Sequence, residues 1–313
     1  MTIWPARVGI LGAAGLVGSG VAAALATSGR CRELHLLDPK ADLLRAHAID
    51  IAEAQLATGD ATTTLTVVEA ESAPAVDLVV VAASAPETPN GDRRDFLTAN
   101  LHLLRALLPT VTRMAGARGV VLLLSNPVDV LADALYRLSG IPPERIVGYS
   151  LNDSLRFRMA LGRELGVHPS RIEAWVLGEH GAGQVPVFSR ISVDGRPTAL
   201  APDARERVRT DVDGWFARWS ALRPGRSSGW TTPVGTMRTI AALASGAVHP
   251  ASVWTGGVAA LPPTFVTLPG RLSPNGLSGI ETWDFDTGEQ HALRHAAVSV
   301  HDTTTSALAE AAG

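Results

Sequence analysis

Three residue types that together can move a proton beside an organic acid occur in two short stretches of the chain. Asp153 and Arg156 stand three apart in Asp153-Ser154-Leu155-Arg156-Phe157-Arg158, and His180 lies in Gly178-Glu179-His180-Gly181. A cation that can hold an anion, a ring that can carry a proton and a carboxylate that can orient the ring are the parts such proton transfer needs. Arg156 can hold a carboxylate with two parallel N–H bonds, an orientation that lysine does not impose. His180 can give a proton as imidazolium and take it back as the neutral ring. Asp153 can hold the other ring nitrogen, fix the tautomer and favour the charged form. Each residue also has an ordinary reading. Asp153 can cap a helix, Arg156 can pair with it at i, i+3, and His180 can be a loop residue.

A second cluster precedes these. The apolar run Val8–Leu11 enters Gly12-Ala13-Ala14-Gly15-Leu16-Val17-Gly18 and then an alanine-rich segment. Glycines at this spacing, G-x-x-G-x-x-G, let a backbone turn sharply and approach a pyrophosphate, which then sits on the free N–H groups of a helix N-terminus. Asp38 closes the next apolar run, where a carboxylate can accept hydrogen bonds from ribose hydroxyls and repel a 2′-phosphate, favouring NAD over NADP.

These residues need elements to carry them. Val8–Leu11, Leu34–Leu37, Leu65–Val68, Leu78–Ala82 and Val120–Leu124 are short continuous apolar runs bounded by Gly, Pro, Asp or Ser, with helix-period segments between most of them. That pattern predicts α/β architecture, a Rossmann-type doubly wound parallel sheet covered by helices. No helix is expected between the third and fourth strands. After Gly148 the pattern changes to a helix over 153–165, a strand over 172–177, and a long helix with Val208, Val212, Trp215, Phe216 and Trp219 on one stripe facing the core or a partner subunit. A helix over 237–244, strands to about 280 and a closing helix over 289–311 follow. The expected division is a dinucleotide-binding domain over 1–148 and an α+β substrate domain over 149–313.

Composition narrows the function classes. The 313 residues carry a formal charge of −3, and Lys40 is the only lysine among 27 basic residues. No basic stripe exists, so nucleic acid is not expected as a partner. No apolar run approaches eighteen residues, and the first one reaches glycine at once, so neither a membrane span nor a secretory leader is expected. The single cysteine, Cys31, excludes an intrachain disulfide framework and suits a reducing, cytoplasmic setting. His291 and His295 share helical i, i+4 spacing but lack an intervening Glu and a third ligand, so no metal site is expected.

Several motifs in order resemble the lactate/malate dehydrogenase family over nearly the whole chain: the Gly-Ala-Ala-Gly turn, closer to the malate branch; Ser125-Asn126-Pro127-Val128-Asp129; the Asp153–Arg158 stretch; Gly178-Glu179-His180-Gly181 with Val185-Pro186-Val187; and Gly229-Trp230-Thr231. The resemblance implies an NAD-dependent enzyme moving a hydride to or from C2 of a small 2-hydroxy or 2-keto acid, assembled as a homodimer or homotetramer. It implies that Gly12, Gly15, Gly18 and Asp38 hold the cofactor, that Asp153 and His180 form the proton-transfer pair, and that Arg156 binds the substrate carboxylate. Asn126 would contact substrate or nicotinamide, and Thr231 would line the side-chain pocket. Residues 83–100 would include a closing loop whose arginine, Arg93 with Arg94 as the neighbouring alternative, polarises the carbonyl.

The same loop places Glu87 where malate dehydrogenases carry Arg and lactate dehydrogenases commonly carry Gln. A carboxylate there would repel oxaloacetate, since two unit charges about 4 Å apart cost about 4 kcal/mol at an effective dielectric of 20. The expected substrate side chain is therefore not a second carboxylate, unless Glu87 faces solvent. The alternatives are a malate dehydrogenase and, in another class, an NAD-binding sensor without turnover.

Overall fold

A computed structural model describes residues 4–59, 62–86, 93–223, 229–258 and 260–310. Its first half alternates strand and helix: β1 (Arg7–Leu11), α1 (Leu16–Thr27), β2 (Glu33–Leu37), α2 (Ala41–Thr58), β3 (Thr64–Val67), β4 (Leu78–Val81), α3 (Arg93–Ala115), β5 (Val120–Leu123), α4 (Val128–Ser139) and β6 (Ile146–Tyr149). Only a 3-10 turn, Ala70–Ser72, stands between β3 and β4, as the pattern led us to expect. The second half holds α5 (Leu151–Leu165), β7 (Ile172–Glu173), β8 (Val176–Gly178), β9 (Gln184–Pro186), β10 (Ser192–Val193) and β11 (Arg196–Pro197). After these come α6 (Pro202–Asp213), α7 (Trp215–Ala221), α8 (Thr231–Ser245), β12 (Val248–Trp254), β13 (Phe265–Ser273), β14 (Gly276–Ile280) and α9 (Thr287–Glu310).

The runs β4 (LVVV) and β5 (VVLL) are buried at every position, because helices cover both faces of the sheet. Side chains alternate between those faces. Ile10, Leu36, Val80 and Leu122 pack with α1, α2 and α8, while Leu11, Leu37, Val81 and Leu123 pack with α3 and α4. The parallel strands lie in the order β3-β2-β1-β4-β5-β6, so their carboxyl ends share one edge, the edge at which such sheets bind ligands. The sheet does not stop at residue 148. Strand β6 pairs antiparallel with β12, and the sheet continues through β13 and β8 to β9.

Two expected elements are divided. The strand expected over 172–177 is β7 and β8 in different sheets, with β7 beside β10 and β8 beside β13. Between them the Ala174 carbonyl accepts from Arg158 Nε at 3.0 Å and the Trp175 carbonyl from the Val187 N–H at 2.9 Å, so these carbonyls are satisfied outside either strand. The long helix expected around Val208–Trp219 breaks at Gly214 into α6 and α7. There the Arg218 guanidinium crosses the bare glycine to hold the Asp211 carbonyl at 2.7 Å. The apolar stripe divides accordingly: Val208 and Val212 enter a core with Phe157, Leu161 and Phe188, whereas Phe216 is exposed.

Helix α4 is tied to both of its neighbours by one carboxylate. Asp133, fully buried, accepts from Arg137 Nη2 at 2.7 Å and Nε at 3.1 Å, and from Thr264 Oγ1 at 3.1 Å just ahead of β13. Arg137 in turn reaches Thr305 of α9. Replacing Asp133 with Ala leaves a partly buried guanidinium and a buried hydroxyl without their acceptor. The expected cost is about 3 kcal/mol, read as a lower urea midpoint at unchanged slope.

Candidate active site

Asp153 sits in the first turn of α5, where the helix dipole favours a negative charge. Its neighbour Ser154 accepts the Val176 N–H at 2.9 Å, which fixes the start of β8 against α5. The β8–β9 hairpin then carries His180 back over that first turn, closed by the Glu179 N–H on the Gly183 carbonyl at 3.1 Å. The result joins two residues 27 apart in sequence: His180 Nδ1 lies 2.5 Å from Asp153 Oδ2. The other carboxylate oxygen, Oδ1, accepts from Arg156 Nη1 at 2.9 Å. A carboxylate only accepts, so Nδ1 carries the hydrogen and Nε2 is left to exchange a proton.

The Arg156 guanidinium is held on two sides. Its Cζ lies 3.7 Å from the centre of the Trp215 ring, and Trp215 stacks on Trp219 in turn. Arg156 thus makes the i, i+3 pair expected as the ordinary reading, yet its side chain is 21% exposed and donates no other hydrogen bond among the described residues. The remaining N–H groups of the planar fork can take a second carboxylate.

Burial works against charge at all three groups, and their mutual contacts decide the balance. For His180, burial favours the neutral ring, but the charge and hydrogen bond of Asp153, aided by Asp129, outweigh it and raise the pKa above the ordinary 6.5. For Asp153, burial is likewise overcome by His180 and Arg156, and its carboxyl titrates below the usual range. Burial lowers the Arg156 pKa, with Asp153 opposing. The site therefore stores an ionised carboxylate beside a ring that favours its proton.

Asn126 is exposed immediately after β5, at the same edge as the glycine turn after β1. The neighbouring Ser125 hydroxyl donates to the Ala83 carbonyl at 2.5 Å, drawing the chain after β4 toward the chain after β5. Thr231 begins α8 and is exposed. Its neighbour Thr232 accepts from Asn152 Nδ2 at 3.0 Å, so α8 starts beside the start of α5, and Tyr149 completes the chain with its hydroxyl on Asn152 Oδ1 at 2.7 Å. Glu87 lies outside the described residues, as does the side chain of Arg93; the Arg93 backbone opens α3. Among the described residues no cluster of His, Cys, Asp or Glu could hold a metal ion, and no helix is long and apolar enough to cross a membrane.

Sequence reasoning gave no role to Trp215 at Arg156, or to Asp129, whose Oδ2 accepts the His180 N–H at 2.6 Å. Asp129 stood in plain view beside Asn126-Pro127, but no periodicity connects positions 51 apart.

Known proteins resemble this chain along nearly its whole length. The profile of the lactate/malate dehydrogenase NAD binding domain matches residues 6–148, and that of the family's alpha/beta C-terminal domain matches 151–212. L-lactate dehydrogenase of Thermus aquaticus is 32% identical over 93% of this chain and 96% of its own, and L-lactate dehydrogenase A of Hordeum vulgare is 30% identical over 93% and 84%. Malate dehydrogenase of Cryptosporidium parvum superimposes with a TM-score of 0.87 over 97% of this chain and 99% of its own, at 22% identity, a likeness of fold. The chain belongs to the lactate/malate dehydrogenase family.

It is accordingly an NAD-dependent 2-hydroxyacid dehydrogenase, and its nucleotide edge fits that cofactor. Gly12 turns the chain with φ +82, and a Cβ there would meet the Ala83 backbone at 2.5 Å; a Cβ on Gly18 would meet the Gly12 carbonyl at 2.2 Å. Only glycines allow α1 to start this close to the sheet. Gly15 precedes α1 with no side chain capping the helix, so first-turn N–H groups remain for a pyrophosphate. Asp38 Oδ2 accepts the Ala14 N–H at 3.2 Å and Oδ1 the Lys40 N–H at 3.0 Å, which aims the carboxylate at the turn while leaving lone pairs for ribose hydroxyls. Replacing Asp38 with Ser is expected to narrow the preference for NADH over NADPH by about tenfold, a change of about 1.4 kcal/mol, measured as the ratio of the two dissociation constants. An unchanged ratio removes Asp38 from cofactor choice.

Proposed function

We propose that this family member interconverts a 2-keto acid carrying a single carboxylate with the corresponding L-2-hydroxy acid. One observation carries the chemistry: the buried Asp153 carboxylate holds His180 and Arg156 at the same time. Bound NAD supplies or accepts the hydride. Arg156 takes the substrate carboxylate on the N–H groups that Asp153 leaves free, and its stacking on Trp215 fixes the plane of the fork. His180 Nε2 gives its proton to the forming alkoxide in reduction and recovers it in oxidation, with the Asp153 bond holding the ring in one tautomer throughout. Arg93, at the start of α3, would polarise the carbonyl, Asn126 would contact substrate or nicotinamide, and Thr231 would line the side-chain pocket. On this reading residues 1–148 form the cofactor domain and residues 149–313 the substrate domain.

Glu87 supports the single carboxylate, since a negative group beside the substrate side chain disfavours a dicarboxylate. The names of the relatives quoted at 30% identity and above, both L-lactate dehydrogenases, point the same way. The test is NADH oxidation with 2-keto acids bearing neutral, cationic and anionic side chains. A neutral or cationic side chain is expected to give the highest kcat/KM, and Glu87→Arg to raise that of oxaloacetate. Oxaloacetate as the best substrate of the wild type would instead identify a malate dehydrogenase. The pH profile has a defined sign: reduction needs imidazolium, so it declines as pH rises through the raised His180 value, above 6.5, while oxidation increases over the same interval.

We also infer a homo-oligomer. Ile49 and Leu56 on α2 are 64% and 82% exposed, and Trp230 and Val234 around the start of α8 are 72% and 66% exposed. Both helices pack on α1, so the apolar groups flank one helix, where a second copy would cover them. Light scattering is expected to give two or four times the 32.7 kDa chain mass; a monomer at micromolar concentration overturns the inference.

A further inference from the structure

We propose that Asp129 is a positioning residue for His180: from the first turn of α4 its carboxylate grips the His180 main chain and, with Asp153, encloses the imidazole between two buried negative charges that set the pH of proton exchange. The inference deepens the reading of His180 as proton carrier and rests on it.

The geometry is specific. Asp129 is 2% exposed, and its Oδ2 accepts the His180 N–H at 2.6 Å. Oδ1 has no partner in full hydrogen-bond geometry among the described residues; the buried Ser252 hydroxyl on β12 lies near enough to favour the charged carboxylate without completing a bond to it. A carboxylate with one full hydrogen bond is a costly group to bury. Asparagine would accept the same N–H without any charge to desolvate, so the hydrogen bond alone does not account for an aspartate here. What asparagine cannot supply is the charge, and the charged groups around the ring show where it acts. Asp153 and Arg156 face His180 from α5, Asp129 from α4, and Glu179 belongs to the same hairpin. Asp153 neutralises Arg156 through Oδ1, which leaves Asp129 as a second anion favouring imidazolium. Burial pushes the Asp129 carboxyl up to about 6, against the lowering effect of Ser252 and of the His180 amide and ring. The charge is therefore present at neutral pH and is lost as pH falls through that value, when His180 holds its proton less tightly.

The experiment is an NMR titration of the His180 ring in the wild type and in Asp129→Asn, with the pH dependence of keto-acid reduction measured alongside. In Asp129→Asn the ring midpoint is expected to fall by about one pH unit. The alkaline limb of reduction should move down with it, while KM changes by less than about twofold, since the amide still accepts the His180 N–H. A midpoint that stays within about 0.2 of the wild type, whatever happens to kcat, overturns the proposal and leaves Asp129 a structural group. The wild type gives a second reading that needs no variant. The His180 backbone N–H resonance should shift with an inflection near pH 6 that the ring titration shares, and its absence also overturns the proposal. The two levels fail separately. A lowered midpoint in a protein that turns over no keto acid keeps the Asp129 assignment and removes His180 as proton carrier. Turnover with an unmoved midpoint does the reverse.

Discussion

The constraint on which the rest of this structure depends is the sharing of one buried carboxylate. Asp153 is 3% exposed and gives one oxygen to a guanidinium and the other to an imidazole. An isolated carboxylate in that place would cost several kcal/mol to desolvate, and a single partner in poor geometry would not offset it. Two partners held at hydrogen-bond distance do. Arg156 comes from the helical repeat, since i, i+3 places it beside Asp153 without any tertiary help. His180 has no such local guarantee. Its position depends on the sheet continuing from β6 through β12 and β13 to β8, and on the Ser154 hydroxyl that holds the first residue of β8 to α5. The antiparallel extension of a parallel sheet is thus the device that returns the histidine to the edge where the parallel strands end.

That edge brings together groups from distant parts of the chain. Parallel strands all point their carboxyl ends the same way, so the residues after β1, β2, β5 and β6 become neighbours by topology: the glycine turn, Asp38, Asn126 and Asp153. The glycines allow the first helix to approach, and the same approach exposes N–H groups to a phosphate. Tight packing and ligand binding have one cause here. Helix α8 closes the arrangement by packing on α1 while its buried Thr232 bonds to Asn152, linking the glycine turn to the Asp153–His180 pair.

Much of this was legible because it is local. Continuous apolar runs bounded by turn formers gave β1 to β5 nearly to the residue, and the glycine spacing pointed to the tight turn between β1 and α1 that the structure shows. Asp153 and Arg156 were legible as two readings, substrate clamp or i, i+3 pair; the structure shows the pair, which uses one N–H of a five-donor fork and so does not by itself exclude the clamp. What was not legible depends on contacts between distant residues. Asp129 meets His180 across 51 positions. The break at Gly214 needs Arg218 to fold back on Asp211, and a periodic stripe carries no sign of it. The division of β7 from β8 follows from which carbonyls find partners outside a strand, which depends on Arg158 and Val187. The role of Glu87, outside the described residues, stays an expectation of the sequence.

The charges around the ring bear on which ligand the site would take. With the imidazole protonated, Asp129, Asp153 and Glu179 contribute three negative charges and Arg156 and His180 two positive ones, so this group already carries an excess of negative charge before substrate arrives. A monocarboxylate would add one negative charge, which Arg93 at the start of α3 would offset on the proposed reading. A dicarboxylate would add a further uncompensated charge, and Glu87 would add to the excess rather than relieve it. On the proposed reading, a preference for a single carboxylate would follow from a ring that already has more anions than cations around it.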